Sequence, residues 1–247
     1  MRLADILYTQ GLGTRRACAT LIGRGSVQVQ GQTLTDVDTD LPVAEGFAFS
    51  VDGVVWPYHV VALVMLHKPA GYECSRQPGR HTSVLSLLPA ALQRRGVQPV
   101  GRLDQDTTGL LLLTDDGALI HRLTSPRHHV PKVYEVLTKH PLTDDVPARL
   151  LAGVVLHDDP APARATACQV TAEYTLHLTI TDGRYHQVKR MLAAVGNRVQ
   201  ALHRSAFGPW LLPPDLAPGH WRWLDAQPPA GLDAPVSVAC DWPALRD

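Results

Sequence analysis

The stretch from Gly101 to Gly117, GRLDQDTTGLLLLTDDG, constrains the fold of this chain more than any other segment. Four consecutive leucines closed by Thr114 read as a buried strand, because so much apolar surface is stable only when removed from water. A polar loop precedes that strand and carries Asp104 and Asp106. In it Thr107 and Thr108 can bond backbone groups, and Gly109 permits an unusual dihedral before the strand resumes. Beyond Thr114 the chain turns into a helix. A carboxylate is thereby held beside the core, and on the residues alone either aspartate could do chemistry. A paired-carboxylate glycosidase fits poorly, since groups two residues apart on one short loop would struggle to flank a sugar from opposite sides.

Around this segment the chain reads as alternating strands and helices, an α+β organisation on a mixed sheet. Leu3, Ile6 and Leu7 stand at helical spacing, and Thr14 caps a second short helix carrying Ala17, Cys18, Leu21 and Ile22. Val27 and Val29 alternate with glutamines between glycines, the pattern of a short half-buried strand and tight turn. A boundary is expected near Asp52 to His59, ahead of an apolar strand from Val60 to Leu66. Further strands are expected at Leu110 to Thr114, Val133 to Thr138 and Tyr174 to Thr181. The best helix runs from His186 to Val195 and closes at Gly196, a natural left-handed cap. The Pro-rich stretch from Pro209 to Pro218 reads as an ordered surface loop.

The 247 residues accommodate a mid-sized catalytic domain and a small accessory one. The start of the chain lacks the pattern of a signal peptide and no apolar run approaches the roughly 18 residues of a membrane span, so a cytoplasmic protein is expected. Cys18, Cys74, Cys168 and Cys240 are scattered without zinc-like spacing, which suggests buried reduced thiols, no disulfide framework and no metal. With 23 basic and 23 acidic residues, total charge does not argue for a nucleic-acid partner, and distribution matters more. From Gly183 to Arg204 the chain carries Arg184, Lys189, Arg190, Arg198 and Arg204 with no acidic residue, whereas Asp215, Asp225, Asp233, Asp241 and Asp247 follow.

GRLD followed by TTGLLLLTDDG resembles the catalytic motif of the pseudouridine synthases that act on ribosomal RNA. HKPAG at 67–71, SPRHHVPKVYEV at 125–136, GRYHQVKRMLAAVGNRV at 183–199, LHR at 202–204 and DLAPG at 215–219 follow in family order. Long motifs in fixed order are more specific than any one alone. The resemblance covers essentially the whole chain and is strongest to the branch that modifies small-subunit, 16S, ribosomal RNA, at uridine 516. Helix, turn, basic helix and small strands over the first residues resemble the S4 RNA-binding domain. The implied architecture is an S4-like domain over 1–59 and, over 60–247, a catalytic domain with a mixed, mainly antiparallel sheet flanked by helices.

The resemblance implies roles by position. Asp104 is the catalytic carboxylate, Tyr134 the aromatic that packs on the target base, and Lys189 the cation paired with the aspartate. Arg102 occupies the space left by a flipped nucleotide or binds its phosphate, and Leu192, on the helix face of Lys189, forms an apolar wall. Lys68, Arg127, His128, His129, Lys132, Arg184 and Arg190 are backbone contacts for RNA, and Arg15 and Arg16 lie on the S4-like module. Isomerising a uridine adds no group or electron, so no cofactor is implied. The implied partner is ribosomal RNA, within a subunit assembly intermediate, met by a monomer. The alternatives are the same chemistry on a 23S uridine, or a noncatalytic RNA-binding or ribosome-assembly protein.

Overall fold

The computed structural model describes residues 1–157 and 159–224; Asp225, Asp233, Cys240, Asp241 and Asp247 lie outside the described residues. Its first unit packs α1 (Leu3–Thr9) and α2 (Arg15–Gly23) on a four-stranded antiparallel sheet. That sheet comprises β1 (Val27–Val29), β2 (Gln32–Leu34), β3 (Ala48–Val51) and β4 (Val54–Pro57), in the order β2-β1-β3-β4. The Thr14 hydroxyl accepts from the Ala17 N–H, the capping bond that starts α2. Val27 and Val29 face inward and Gln28 outward, as period-two alternation demands.

The second unit begins with β5 (Leu63–Lys68), followed by the short strands β6 (Tyr72–Glu73) and β7 (Thr82–Ser83), α3 (Ala90–Arg95) and β8 (Gln98–Pro99). Then come β9 (Thr108–Thr114), α4 (Gly117–Thr124), β10 (Lys132–Thr138) and α5 (Val146–Ala152). After β11 (Val154–Leu156) and β12 (Asp159–Ala163), the chain forms β13 (Ala167–Ala172), β14 (Thr175–Ile180), α6 (Gln187–Ala194), β15 (Val199–Phe207), β16 (Trp210–Leu211) and β17 (Trp221–Trp223). The main sheet runs β13-β14-β10-β15-β9-β5-β17, with β16 on β15 and β8 on β9. Its described pairings are antiparallel except β15 with β9.

The leucine run explains why β9 is central. Leu111 and Leu113, with Val64 and Leu66 of β5, join the core that holds Val188, Met191 and Leu192 of α6. Leu110 and Leu112, with Leu63 and Met65, pack on the other face against Leu119 and Leu123 of α4. A strand apolar on both faces must have both faces covered. Gly109 has φ +105°, and a Cβ there would sit 2.3 Å from the Arg204 carbonyl oxygen of β15. Only glycine lets those two strands approach so closely.

Several sequence expectations need correction. Within Asp52 to His59 lies β4, the hairpin strand that ends the first sheet. The next strand starts at Leu63, and Val60 is 70% exposed, because Ala62 to Leu66 alone enters the core. Tyr174 falls in a turn and is exposed, while Leu176, Leu178 and Ile180 are buried as the alternation requires. Pro209 to Pro218 is not a simple surface loop, since Trp210, Leu212 and Leu216 are buried over the Phe207 side of the sheet. Cys18 is buried, whereas Cys74 and Cys168 are half-buried; all three are free thiols.

The two units are joined by directed contacts. Arg95 binds Asp115 at 2.7 Å, and its Nη1 donates to Gln10 Oε1 at 2.7 Å and to the His59 carbonyl at 2.9 Å. Trp56 of β4 meets Trp223 of β17 edge-on, with centroids 5.7 Å apart. Among the described residues no helix is long and apolar enough to cross a membrane. Gly109→Ala is expected to lower the free energy of unfolding by about 3 kcal/mol, measured by urea denaturation, because the new methyl group meets backbone that cannot swing away.

Candidate active site

The loop from Gly101 to Thr107 is fixed from beneath. Lys68 is fully buried, and its Nζ donates to the carbonyls of Pro69 (3.0 Å), Gln105 (3.2 Å) and Thr107 (2.8 Å), which uses all three ammonium protons. Burial lowers its pKa. The Gly71 N–H donates to the Gln105 carbonyl, the Thr107 N–H to the Asp104 carbonyl, and the Leu103 N–H to Cys74 Sγ. Burial pushes the Cys74 thiol up, so it stays protonated.

On this loop the half-buried Asp104 carboxylate faces α6. Lys189 Nζ lies 3.0 Å from Asp104 Oδ2 and 2.7 Å from Asp106 Oδ1, so one ammonium is shared by both carboxylates. Burial is the largest single influence on the Asp106 carboxyl and pushes it upward, but the bond and charge of Lys189, a backbone bond and the charge of His186 together outweigh it, and the net shift is downward. Burial likewise lowers Lys189, yet the two aspartates prevail and raise it. His186 adds Nε2 at 3.4 Å from Asp104 Oδ1; it precedes α6 in the left-handed region, at φ +49°.

Asp104 opens on a pocket of about 70 Å³. Tyr134, nearly buried on β10 between Leu178 and Arg204, lines it together with Leu103, Ile180, Val188 and Leu202. Arg102 and Arg184 stand at its edge. Asp104, Tyr134 and Lys189 therefore meet at one cleft, with a carboxylate beside an aromatic ring and apolar walls. Among the described residues no group of His, Cys, Asp and Glu could hold a metal ion.

Other residues singled out in the sequence lie elsewhere. Leu192 is in the core and does not line the pocket, whose apolar wall is made by Ile180, Val188 and Leu202 instead. Lys68 and Lys132 cannot reach an RNA phosphate. Lys132 is buried, donates to the carbonyls of Val130 (2.9 Å) and Thr181 (3.2 Å), and has its pKa lowered by burial to about 8. Arg184 pairs with Asp159 and Asp182, and Arg190 donates to the Tyr185 carbonyl. Arg127, His128 and His129 lie on an exposed turn; Arg15 pairs with Asp5 over the Tyr8 ring, and Arg16 is exposed on α2. The acid-free stretch from 183 to 204 is thus no single basic surface: Arg204 is buried and donates to the Leu110 carbonyl. His186 and the sharing of Lys189 with Asp106 were missed, since sequence spacing does not reveal a contact 83 residues apart.

A carboxylate held by a cation thus lies beside a tyrosine in a narrow pocket on the mixed sheet. The family model for RNA pseudouridylate synthase matches residues 62–194, more than half of the chain, and the chain belongs to this family of uridine isomerases. It is 47% identical over 239 residues to a Yersinia pestis protein named ribosomal small subunit pseudouridine synthase A, covering 95% of this chain and 99% of that one. The Escherichia coli K12 protein of the same name is 41% identical over 225 residues, covering 91% and 96%. A solved structure titled "Crystal structure of pseudouridylate synthase" is 32% identical with a TM-score of 0.64, covering 91% of this chain and 96% of that one.

The burial of Lys132 gives a signature in pH. Between about pH 8, where the folded group loses its proton, and 10.5, where the unfolded one does, the unfolded state binds more protons. Wild-type stability should therefore rise with pH relative to Lys132→Met, by roughly 1 kcal/mol per pH unit in urea titrations across that window.

Proposed function

We propose that this pseudouridine synthase modifies a uridine of small-subunit ribosomal RNA, uridine 516 of the 16S molecule, with Asp104 as the catalytic carboxylate. The observation that carries this reading is the Asp104 carboxylate held 3.0 Å from Lys189 Nζ at the mouth of the pocket lined by Tyr134. The names of the relatives support the choice of RNA. The reaction breaks the bond from C1′ to N1, turns the detached uracil, and joins C1′ to C5, while the C5 proton departs and N1 regains one. No group or electron enters, so the protein supplies charge and enclosure.

Each part has a physical task. Lys189 orients Asp104 and sets a positive charge beside it as water leaves the pocket. The Asp104 anion stabilises the electron-poor sugar carbon that glycosidic cleavage creates. Tyr134 offers a flat face to the extruded base, and Ile180, Val188 and Leu202 keep water from trapping the sugar. Arg102, at the pocket rim, takes the place of the flipped nucleotide or its phosphate. Residues 1–59 act as an S4-like RNA anchor through Arg15 and Arg16, and 60–247 as the catalytic domain. The enzyme works as a cytoplasmic monomer on an assembly intermediate of the small subunit.

Pseudouridine mapping of ribosomal RNA from cells with and without the gene tests reaction and address together. Loss of one pseudouridine from 16S RNA is expected, restored by the wild-type gene and not by Asp104→Asn; loss from 23S RNA instead would overturn the assignment. Asp104→Asn should leave RNA affinity within a few-fold. Replacing Arg15 and Arg16 by glutamine should reduce the slope of log affinity against log salt by about 1.4 to 1.8, since two phosphate contacts and the counterions they release are lost.

A further inference from the structure

Resting on that reading of the site, we propose that Tyr185, backed by His186, is the stacking surface for the base of a nucleotide adjacent to the uridine being isomerised. Tyr185 is 68% exposed, against 43% for Tyr8 and 38% for Tyr174. An aromatic ring left in water forgoes the burial that usually fixes its position, so its orientation must come from elsewhere. Here the ring lies flat on His186, with centroids 3.8 Å apart and planes within 19°. One face of the ring is thus covered, and its exposure leaves the other to solvent.

The shelf is anchored at both residues. The Tyr185 carbonyl accepts from Arg190 Nη1 at 3.1 Å, and His186 is held in the left-handed region with Nε2 at 3.4 Å from Asp104 Oδ1. Tyr185 and His186 line a groove of about 590 Å³ that shares Arg102, Asp104 and Arg184 with the catalytic pocket. The groove is therefore the continuation of the cleft. Flipping a uridine out of an RNA strand leaves its neighbour without a stacking partner, and an aromatic face held ready beside the pocket replaces it. Arg102, exposed on the same groove, supplies positive charge for the intervening phosphate. Stacking on a π-face is tolerant of base identity, so Tyr185 strengthens binding and holds register without selecting the sequence.

The test uses full-length enzyme and a 16S-derived RNA hairpin with 2-aminopurine next to the target uridine on one side or the other. Tyr185→Ala is expected to raise KM about 10-fold with kcat within two-fold, and Tyr185→Phe to behave as wild type. Fluorescence of 2-aminopurine on one side should be quenched by wild type and Tyr185→Phe but not by Tyr185→Ala. Unchanged KM and quenching in Tyr185→Ala would overturn the proposal. A fall in kcat at constant KM would overturn it too, by assigning Tyr185 to the support of His186 against Asp104. If wild type leaves the 16S hairpin unmodified, the same variants are compared on a small-subunit assembly intermediate carrying the 16S RNA, and failure of wild type there too would overturn the choice of RNA and not the role of Tyr185.

Discussion

The close approach of β9 and β15 at Gly109 and Arg204 sets the geometry of everything around it. This is the parallel contact in a sheet otherwise described as antiparallel, and it brings the loop before β9 against the segment that leads from α6 into β15. Because Gly109 has no side chain, the backbones meet with nothing between them. The carboxylate loop and the helix that carries Lys189 are consequently neighbours, although far apart in the chain. Tyr134 enters from the next strand, opposite Arg204. A strand, a helix and the short loop before a strand thus deliver the groups of one cleft.

Within the cleft, one ammonium answers two carboxylates. With Asp104, Asp106 and Lys189 all charged, the trio carries one net negative charge, and each partner is only partly withdrawn from water. In such a setting the Coulombic attraction need not overcome the full desolvation of a buried pair. The same arrangement leaves Asp104 Oδ1 turned toward His186 while Oδ2 meets Lys189, so the carboxylate is held at both oxygens by groups of one helix start. Loop and helix position are coupled through these contacts, and Lys68 fixes the loop through the Gln105 and Thr107 carbonyls.

Much of this was legible in the sequence, for local reasons. The leucine run announced a buried strand, Thr14 a helix start, and Leu176, Leu178 and Ile180 an inward face, because each signal is contained within a few residues. The order of the motifs pointed to Asp104, Tyr134 and Lys189. What failed was whatever depended on which way a residue faces in the assembled sheet. Lys68 and Lys132 read as RNA contacts because a charge usually lies in water, yet each is enclosed by main-chain carbonyls from both its own neighbourhood and a distant segment. Leu192 was placed on the face of Lys189, but three residues advance a helix by about 4.5 Å as well as turning it, enough to carry the side chain from the cleft into the core. Pro209 to Pro218 looked like surface because prolines hid the buried Trp210, Leu212 and Leu216.

The enclosed lysines have a further consequence. The chain has only four, Lys68, Lys132, Lys139 and Lys189, against nineteen arginines. Two cap carbonyls in the interior, one bridges the aspartates, and Lys139 is exposed. A compact ammonium with three rotatable protons suits a small enclosed space, where a rigid planar guanidinium would need a wider one. In the folded protein, then, the side-chain amine freely open to acylating reagents is that of Lys139, whereas labelling at Lys189 reports on release of its aspartates and labelling at Lys68 and Lys132 on opening of the interior.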